Sequence, residues 1–332
     1  MSLFKGGAGT LINQMNMTLF SVSLVVAILA GFAVTYAEMK RLQMDTMHLF
    51  RLFPLLIVCG YIGARTFFVA FAWEQFAHAP VQAFLPRDGG FALYGAFLLD
   101  VLMIFVYGRL AKIELVGKLF DAFASAFVLM IAIGRWGDFF IQTSFGEWVS
   151  EAVASIPFLY VYIERLGEWH VGLFLLESLG ALAIFGYVWR RRKRARRCGD
   201  VMWWALALYG GLRAVLESMR QDSLFFGFVR VAQVISILLL IGVTANFAYR
   251  AFRADIAKKS KILLLLAVAL AALGAAFWAE FNMGQGKELV YRAILAGGVA
   301  IMVVVAFSLY QVTRKKVVDG SEGTNGKNVL VH

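Results

Sequence analysis

The chain has 332 residues, of which 61% are hydrophobic and only 16% charged, with four prolines and a mean hydropathy of +0.74. Soluble globular domains average about 25% charged residues, so this composition excludes one and points to an integral membrane protein. The net charge of +11 invites a nucleic-acid partner, but no aromatic or groove-reading context accompanies the basic residues, which excludes that class.

A bilayer core takes about 20 apolar residues per helical span. Nine stretches meet this in chain order: 17–37, 53–73, 89–108, 119–141, 171–189, 201–218, 228–248, 262–279 and 289–311. None shows the alternation of a transmembrane β-barrel strand. The predicted fold class is all-α, a polytopic transmembrane helical bundle of about nine spans. The first span is too long for a signal-peptide apolar region and is followed by Lys40-Arg41, which predicts a retained helix. Segment 146–170 is the longest interruption, and its Ile156-Pro157-Phe158-Leu159-Tyr160 predicts an amphipathic arm at the interface. Residues 314–332, rich in Gly, Ser and Asn towards the end, read as a disordered cytoplasmic tail.

The basic residues take sides. One set of loops holds Lys40, Arg41 and Arg51, then Arg109, Lys112 and Lys118, then seven of the eight residues from Arg190 to Arg197. The same set continues with Arg250, Arg253, Lys258, Lys259 and Lys261, and with Arg314, Lys315 and Lys316. The opposite side holds only Lys5, Arg87, Arg165, Arg220 and Lys287. By the positive-inside rule this predicts an outside N-terminus and a cytoplasmic C-terminus. The 190–197 cluster reads as a topological anchor that meets anionic lipid. Cys59 lies in a span and Cys198 in a cytoplasmic loop, so no structural disulfide is expected. The scattered histidines form no metal motif. Neither a metal nor a cofactor is expected.

Charges inside the spans carry the chemistry. An arginine at the centre of a membrane helix costs about 2.5–3.5 kcal/mol on insertion scales. Arg65, Arg135, Arg213 and Arg230 all fall within apolar stretches, and arginines facing a cavity between apolar helices suit an anionic headgroup. In span four, Arg135 and Asp138 share a helix face, and Gly134 and Gly137 flank them. Those glycines let either a ligand or a neighbouring helix approach closely. In span six, Tyr209, Arg213 and Glu217 form one stripe, with Arg220 three residues on. That stripe reads either as a site or as an ion pair serving packing. Span two adds Gly60, Gly63 and Arg65, and span three opens with Gly89-Gly90 before Tyr94. Tyr94 by itself reads as an interfacial tyrosine. Asp100 is a counter-ion candidate for Arg65 or another arginine. The predicted topology puts Tyr94, Arg135, Asp138, Glu217 and Arg220 in or near the outer half of the bilayer, whereas Arg230 reads as snorkelling outward.

Taken together, these stretches resemble the bacterial phosphatidylglycerol:prolipoprotein diacylglyceryl transferase family over residues 17–248. Gly63-Ala64-Arg65 with Phe67-Phe68 resembles its G-A-R-x-F-Y pattern, and Gly89-Gly90-Phe91-Ala92-Leu93-Tyr94-Gly95 its G-G-x-x-x-[HY]-G stretch. Gly134-Arg135-Trp136-Gly137-Asp138-Phe139 is similar to the signature G-R-x-G-N-F, with Asp138 where the signature has Asn. Tyr209-Gly210-Gly211-Leu212-Arg213, Glu217 and Arg220-Gln221-Asp222 resemble Y-G-x-x-R-F-x-x-E-x-x-R-Q-P-D, without its Pro. Gln233 with Ser236 is similar to Q-x-x-S, and His170 with Glu177 is loosely similar to H-P-x-x-L-Y-E. The resemblance implies a membrane core over 1–250, with two extra helices over 251–313.

It also implies a reaction: the diacylglyceryl group of phosphatidylglycerol moves to the lipobox cysteine thiol in the signal-peptide region of a prolipoprotein. Glycerol phosphate is released, and the setting is the bacterial inner membrane. On this basis Arg135 and Arg213 form a phosphate clamp, since a guanidinium stays ionised and binds phosphate oxygens in pairs. Arg65 and Arg220 support it, Asp138 or Glu217 orients the arginines, and Gly89, Gly90, Gly134, Gly137 and Tyr209 line the substrate. A thiol with a pKa near 8.5 needs a base; Tyr94 holds the matching position and Glu217 is the alternative. Two competing readings use the same arginines without chemistry: a transporter-like protein for an anionic solute, and a relative that binds phospholipid without transferring it.

Overall fold

The computed structural model describes the backbone of residues 3–78, 80–84, 90–113, 116–227, 229–254, 259–284 and 286–322. It divides into two compact units, one of residues 1–205 with 219–235 and one of 206–218 with 236–332. This packing division differs from the motif-based boundary near residue 250.

The first unit begins with α1 (Leu3–Arg41), α2 (Met47–Phe71) and a single-turn α3 (Trp73–Phe76). It continues with α4 (Leu93–Leu110) and α5 (Val116–Phe140). Helix α5 is the hub: α1 packs along it, and so does α6 (Leu173–Arg191). Its central turns are small and buried, with Ala122, Ala124, Ser125, Ala126 and Ala132 almost inaccessible, which brings the neighbouring backbones close. Helices α2 and α4 pair at a glycine crossing, where a Cβ on Gly63 would strike the Gly95 carbonyl and one on Gly95 would strike that of Gly63.

Between α5 and α6 lies the main departure from the expected architecture. Strands β1 (Phe145–Val149), β2 (Tyr160–Ile163) and β3 (Glu168–Gly172) form an antiparallel sheet in the order β1-β3-β2. Segment 146–170 therefore builds most of a small sheet, and of the expected arm Ile156 to Leu159 lie in the β1–β2 connection while Tyr160 opens β2. The reason is an alternation of period two: Val161 and Ile163 point inward, Tyr162 points outward, and His170 and Gly172 on β3 are buried. Phe145, Val161, Ile163 and Phe174 make its core.

Helix α7 (Asp200–Met219) leads into a two-stranded ribbon of β4 (Phe225–Phe226) and β5 (Val229–Arg230), and then into α8 (Val231–Ala254). The start of α7 is capped from within the first unit: Asp121 accepts the Gly199 and Met202 amides at 2.7 and 3.1 Å. The second unit contains the antiparallel pair α9 (Lys259–Phe281) and α10 (Glu288–Glu322). Ala272 and Ala276 of α9 meet Gly298 of α10. Helical backbone extends to Glu322, and residues 323–332 of the expected tail lie outside the described residues.

Among the described residues, eight helices are long and apolar enough to cross a membrane. They correspond to every predicted span except the sixth. That one forms the 20-residue α7, which carries Asp200, Arg213 and Glu217 and is not among the eight. The chain is a multi-pass helical membrane protein, as its composition predicted.

Candidate functional site

The site is assembled around Arg135, in the last two turns of α5. One turn on, Asp138 presents Oδ2 to the Arg135 Nη1 at 2.7 Å. Beyond Phe140 the backbone turns sharply: Gln142 and Ser144 both adopt left-handed φ values, 52° and 58°. Such residues cost about 1–3 kcal/mol each unless the surroundings determine them. The turn folds Ser144 back over the helix end, where its hydroxyl donates to Asp138 Oδ2 at 2.5 Å and accepts from Arg135 Nη1 at 3.1 Å.

Helix α6 closes the other side, with Glu177 Oε2 3.0 Å from Arg135 Nε. Arg135 and Asp138 keep 13% of their side-chain surface accessible, while Glu177 keeps 1%. An arginine between two carboxylates and a hydroxyl is locked in rotamer and direction, since its guanidinium fork is planar. The network continues outward. The Ser144 amide donates to Asp222 Oδ2 at 2.8 Å, and Arg220 Nε donates to Asp222 Oδ1 at 2.7 Å. The Gln221 amide also donates to the Phe145 carbonyl at 3.1 Å. Burial alone would push the Asp222 carboxyl up, but Arg220 and the Ser144 amide outweigh it and hold the group below the ordinary carboxylate value.

The other expected site residues fall into three groups. Arg220 joins the Arg135 network through Asp222. Tyr209, Arg213 and Glu217 belong to the second unit and are all buried; Arg213 Nη2 lies 2.7 Å from Glu217 Oε2 along α7. Arg65 organises a loop: it donates to the carbonyls of Gln82, Ala83 and Gly90 at 2.9, 2.8 and 3.0 Å. Gly90 has φ 81°, and a Cβ there would meet Arg65 Nη1 at 2.7 Å, so glycine makes this reach possible. Gly89 lies outside the described residues.

Several expectations read differently in three dimensions. The close neighbours of Gly137 are Phe20 and Ser23 of α1, so this glycine serves a helix crossing; Gly134 has only an ordinary contact with Ala27. Tyr94 is 5% accessible and therefore no interfacial tyrosine. Asp100 lies against Gly60 of α2, and no ion pair joins it to an arginine among the described residues. Arg230 sits on β5 with its guanidinium over the Phe225 ring. Within the basic 190–197 cluster, Arg192 turns inward to the buried Glu38 of α1 at 2.5 Å.

Glu177, Ser144 and Asp222 were not assigned to the site from sequence. Glu177 had a signal, a carboxylate inside an apolar span, of the same kind that marked Arg135. Asp222 was quoted only as part of a motif, and Ser144 had no signal. His170, paired with Glu177 in the loose motif match, is buried in the sheet, its Nδ1 donating to the Gly146 carbonyl at 2.9 Å.

A family model described as prolipoprotein diacylglyceryl transferase matches residues 9–249. The chain is 33% identical over 226 residues to the phosphatidylglycerol–prolipoprotein diacylglyceryl transferase of Lactococcus lactis subsp. cremoris, covering 68% of this chain and 85% of that one. It is 32% identical over 224 residues to the protein of that name from Streptococcus equi subsp. zooepidemicus, covering 67% and 86%. Against the one from Streptococcus mutans it is 33% identical over 228 residues, covering 67% and 86%. With more than half its length matched and its membrane helices in place, the chain belongs to the prolipoprotein diacylglyceryl transferase family.

Proposed function

We propose that this protein transfers the diacylglyceryl group of phosphatidylglycerol to the lipobox cysteine of a prolipoprotein. In that reaction a carbon–sulfur bond forms as the carbon–oxygen bond to the phosphate breaks. The thiol proton passes to a base, and glycerol phosphate leaves. The leaving phosphate needs its charge held in a low-dielectric site, where preorganised donors act most strongly. The observation that carries the reading is Arg135, fixed by Asp138, Glu177 and Ser144 at the end of a membrane helix in a member of this family.

Arg135 and Arg213 are cast as the phosphate clamp. The pairing of Arg135 with Asp138 and of Arg213 with Glu217 supports an orienting role for both carboxylates. Arg220 acts through Asp222 on the Ser144 turn, and Arg65 holds the loop that leads to Tyr94. Tyr94 is the proposed thiol base, with Glu217 as the alternative. Gly89, Gly90, Gly134, Gly137 and Tyr209 shape the surroundings of these groups. The membrane is the bacterial cytoplasmic membrane, with the N-terminus outside and the C-terminus inside, a reading supported by the loop charges. The basic cytoplasmic loops meet anionic lipid.

The test is transfer by the purified protein from labelled phosphatidylglycerol to a lipobox peptide, with glycerol phosphate released. Arg135→Ala and Arg213→Ala are each expected to lower the rate by about 100-fold or more, the scale of losing a charge-stabilising donor, while the protein stays in the membrane. Lipid binding without transfer by the wild type would favour the non-catalytic relative. Full activity of either variant removes that arginine from the clamp.

A further inference from the structure

The family model ends at residue 249, so the whole of α9 and α10 lies beyond it. Their content is almost wholly apolar, which by itself suggests a packing or pairing module with no bearing on chemistry. The contacts inside the second unit say otherwise. Helix α10 is buried along a long stripe of Leu295, Val299, Met302, Ala306 and Leu309. Part of that stripe faces α9 through Gly298. Another part faces the segment of α7 that bears Arg213 and Glu217.

That second contact is made at Gly211. A Cβ placed there would lie 2.9 Å from Val303 Cγ2 and 3.4 Å from Val299 Cγ1. The two helices therefore meet backbone to side chain, with no room for a methyl group. On a helix with about 100° per residue, Gly211 lies nearly opposite Arg213. Helix α10 thus stands directly behind the charged stripe of Tyr209, Arg213 and Glu217. On the adjoining side, Gly210 approaches the Ser236 carbonyl of α8 at 3.3 Å. The Y-G-x-x-R pattern requires glycine at 210 and leaves 211 open, and this chain has glycine at the open position, where the added helix lands.

We infer that the C-terminal helix α10 is a buttress that sets the position of Arg213 and Glu217, and that Gly211, Val299 and Val303 are positioning residues for the transfer reaction. The inference rests on the function proposed above. A shift of under an ångström in a charge-stabilising group is enough to lower a rate without loss of the fold, because such groups act only when aimed at the developing charge. Substrate binding remote from the charge is then largely preserved.

Gly211→Val is expected to lower kcat for transfer by at least about tenfold, with KM for the lipobox peptide unchanged within about twofold. Adding Val303→Ala to that variant removes the obstructing methyl groups, and kcat should return to within about threefold of wild type. Gly297→Val is the control: a Cβ at Gly297 meets nothing within 4 Å, and its activity should match wild type. Should Gly211→Val fail to accumulate in the membrane, Gly211→Ala adds a single methyl and is read in the same way. Rescue by Val303→Ala, together with the kcat-only loss, separates positioning from general destabilisation. If wild type transfers and Gly211→Val keeps its kcat within twofold, or if Val303→Ala fails to restore it, the buttress is wrong while the function stands. A wild type that does not transfer would overturn the function itself, and this inference with it.

Discussion

Asp138 receives two hydrogen bonds on one oxygen, from Arg135 Nη1 and from the Ser144 hydroxyl. An asparagine at this position keeps a carbonyl oxygen to accept both bonds, while it loses the charge and carries an NH2 donor in place of the other oxygen. Asp138→Asn, which restores the signature residue, is therefore expected to retain transfer within about threefold, whereas Asp138→Ala removes the acceptor and should cost about tenfold or more. Initial rates with labelled phosphatidylglycerol check both; an alanine variant as active as wild type would remove Asp138 from any orienting role. Arg135 and Asp138 were legible in the sequence because charges in an apolar span are rare and expensive. Glu177 was legible by the same rule. That it faces Arg135 was not, because the two residues sit on different helices whose rotation is set by packing.

Between α5 and β1, the Ser144 turn is tied to the segment after α7 by the Asp222 carboxylate. That tie has a pH dependence of known sign. A carboxyl whose folded value is depressed contributes stability fully above its unfolded value of about 4 and loses it as pH falls through the folded value. The Ser144 amide should thus be protected from hydrogen exchange at neutral pH and lose protection progressively below about pH 4. Asp222→Asn should abolish that acid-dependent step. An acid step of the same size in the variant would assign the effect to another carboxylate. The long helices were legible because hydropathy over twenty residues is a local property. The three-stranded sheet was missed because its alternation lasts only four or five residues per strand, too short to stand out from a mixed apolar loop.

Across the whole molecule, the asymmetric loop charges predict which face is cytoplasmic. Cys198 is exposed in the loop before α7, while Cys59 lies within α2. In a Cys59→Ser background, a membrane-impermeant thiol reagent should label Cys198 in inverted vesicles and leave it unlabelled in intact right-side-out spheroplasts. The reverse pattern would invert the topology and move the Arg135 network to the cytoplasmic side.

Composition, span positions and the buried arginines were determined by the sequence alone, because each depends on the transfer cost of a short stretch of chain from water to lipid. The partners of those arginines were decided by the tertiary structure. Ser144 and Asp222 are 78 residues apart, and Gly211 meets Val303 across 92 residues of chain. Contacts at such separations exist only once helices have packed and turned to particular faces. A periodicity along the chain states which residues share a face and leaves open what that face will meet.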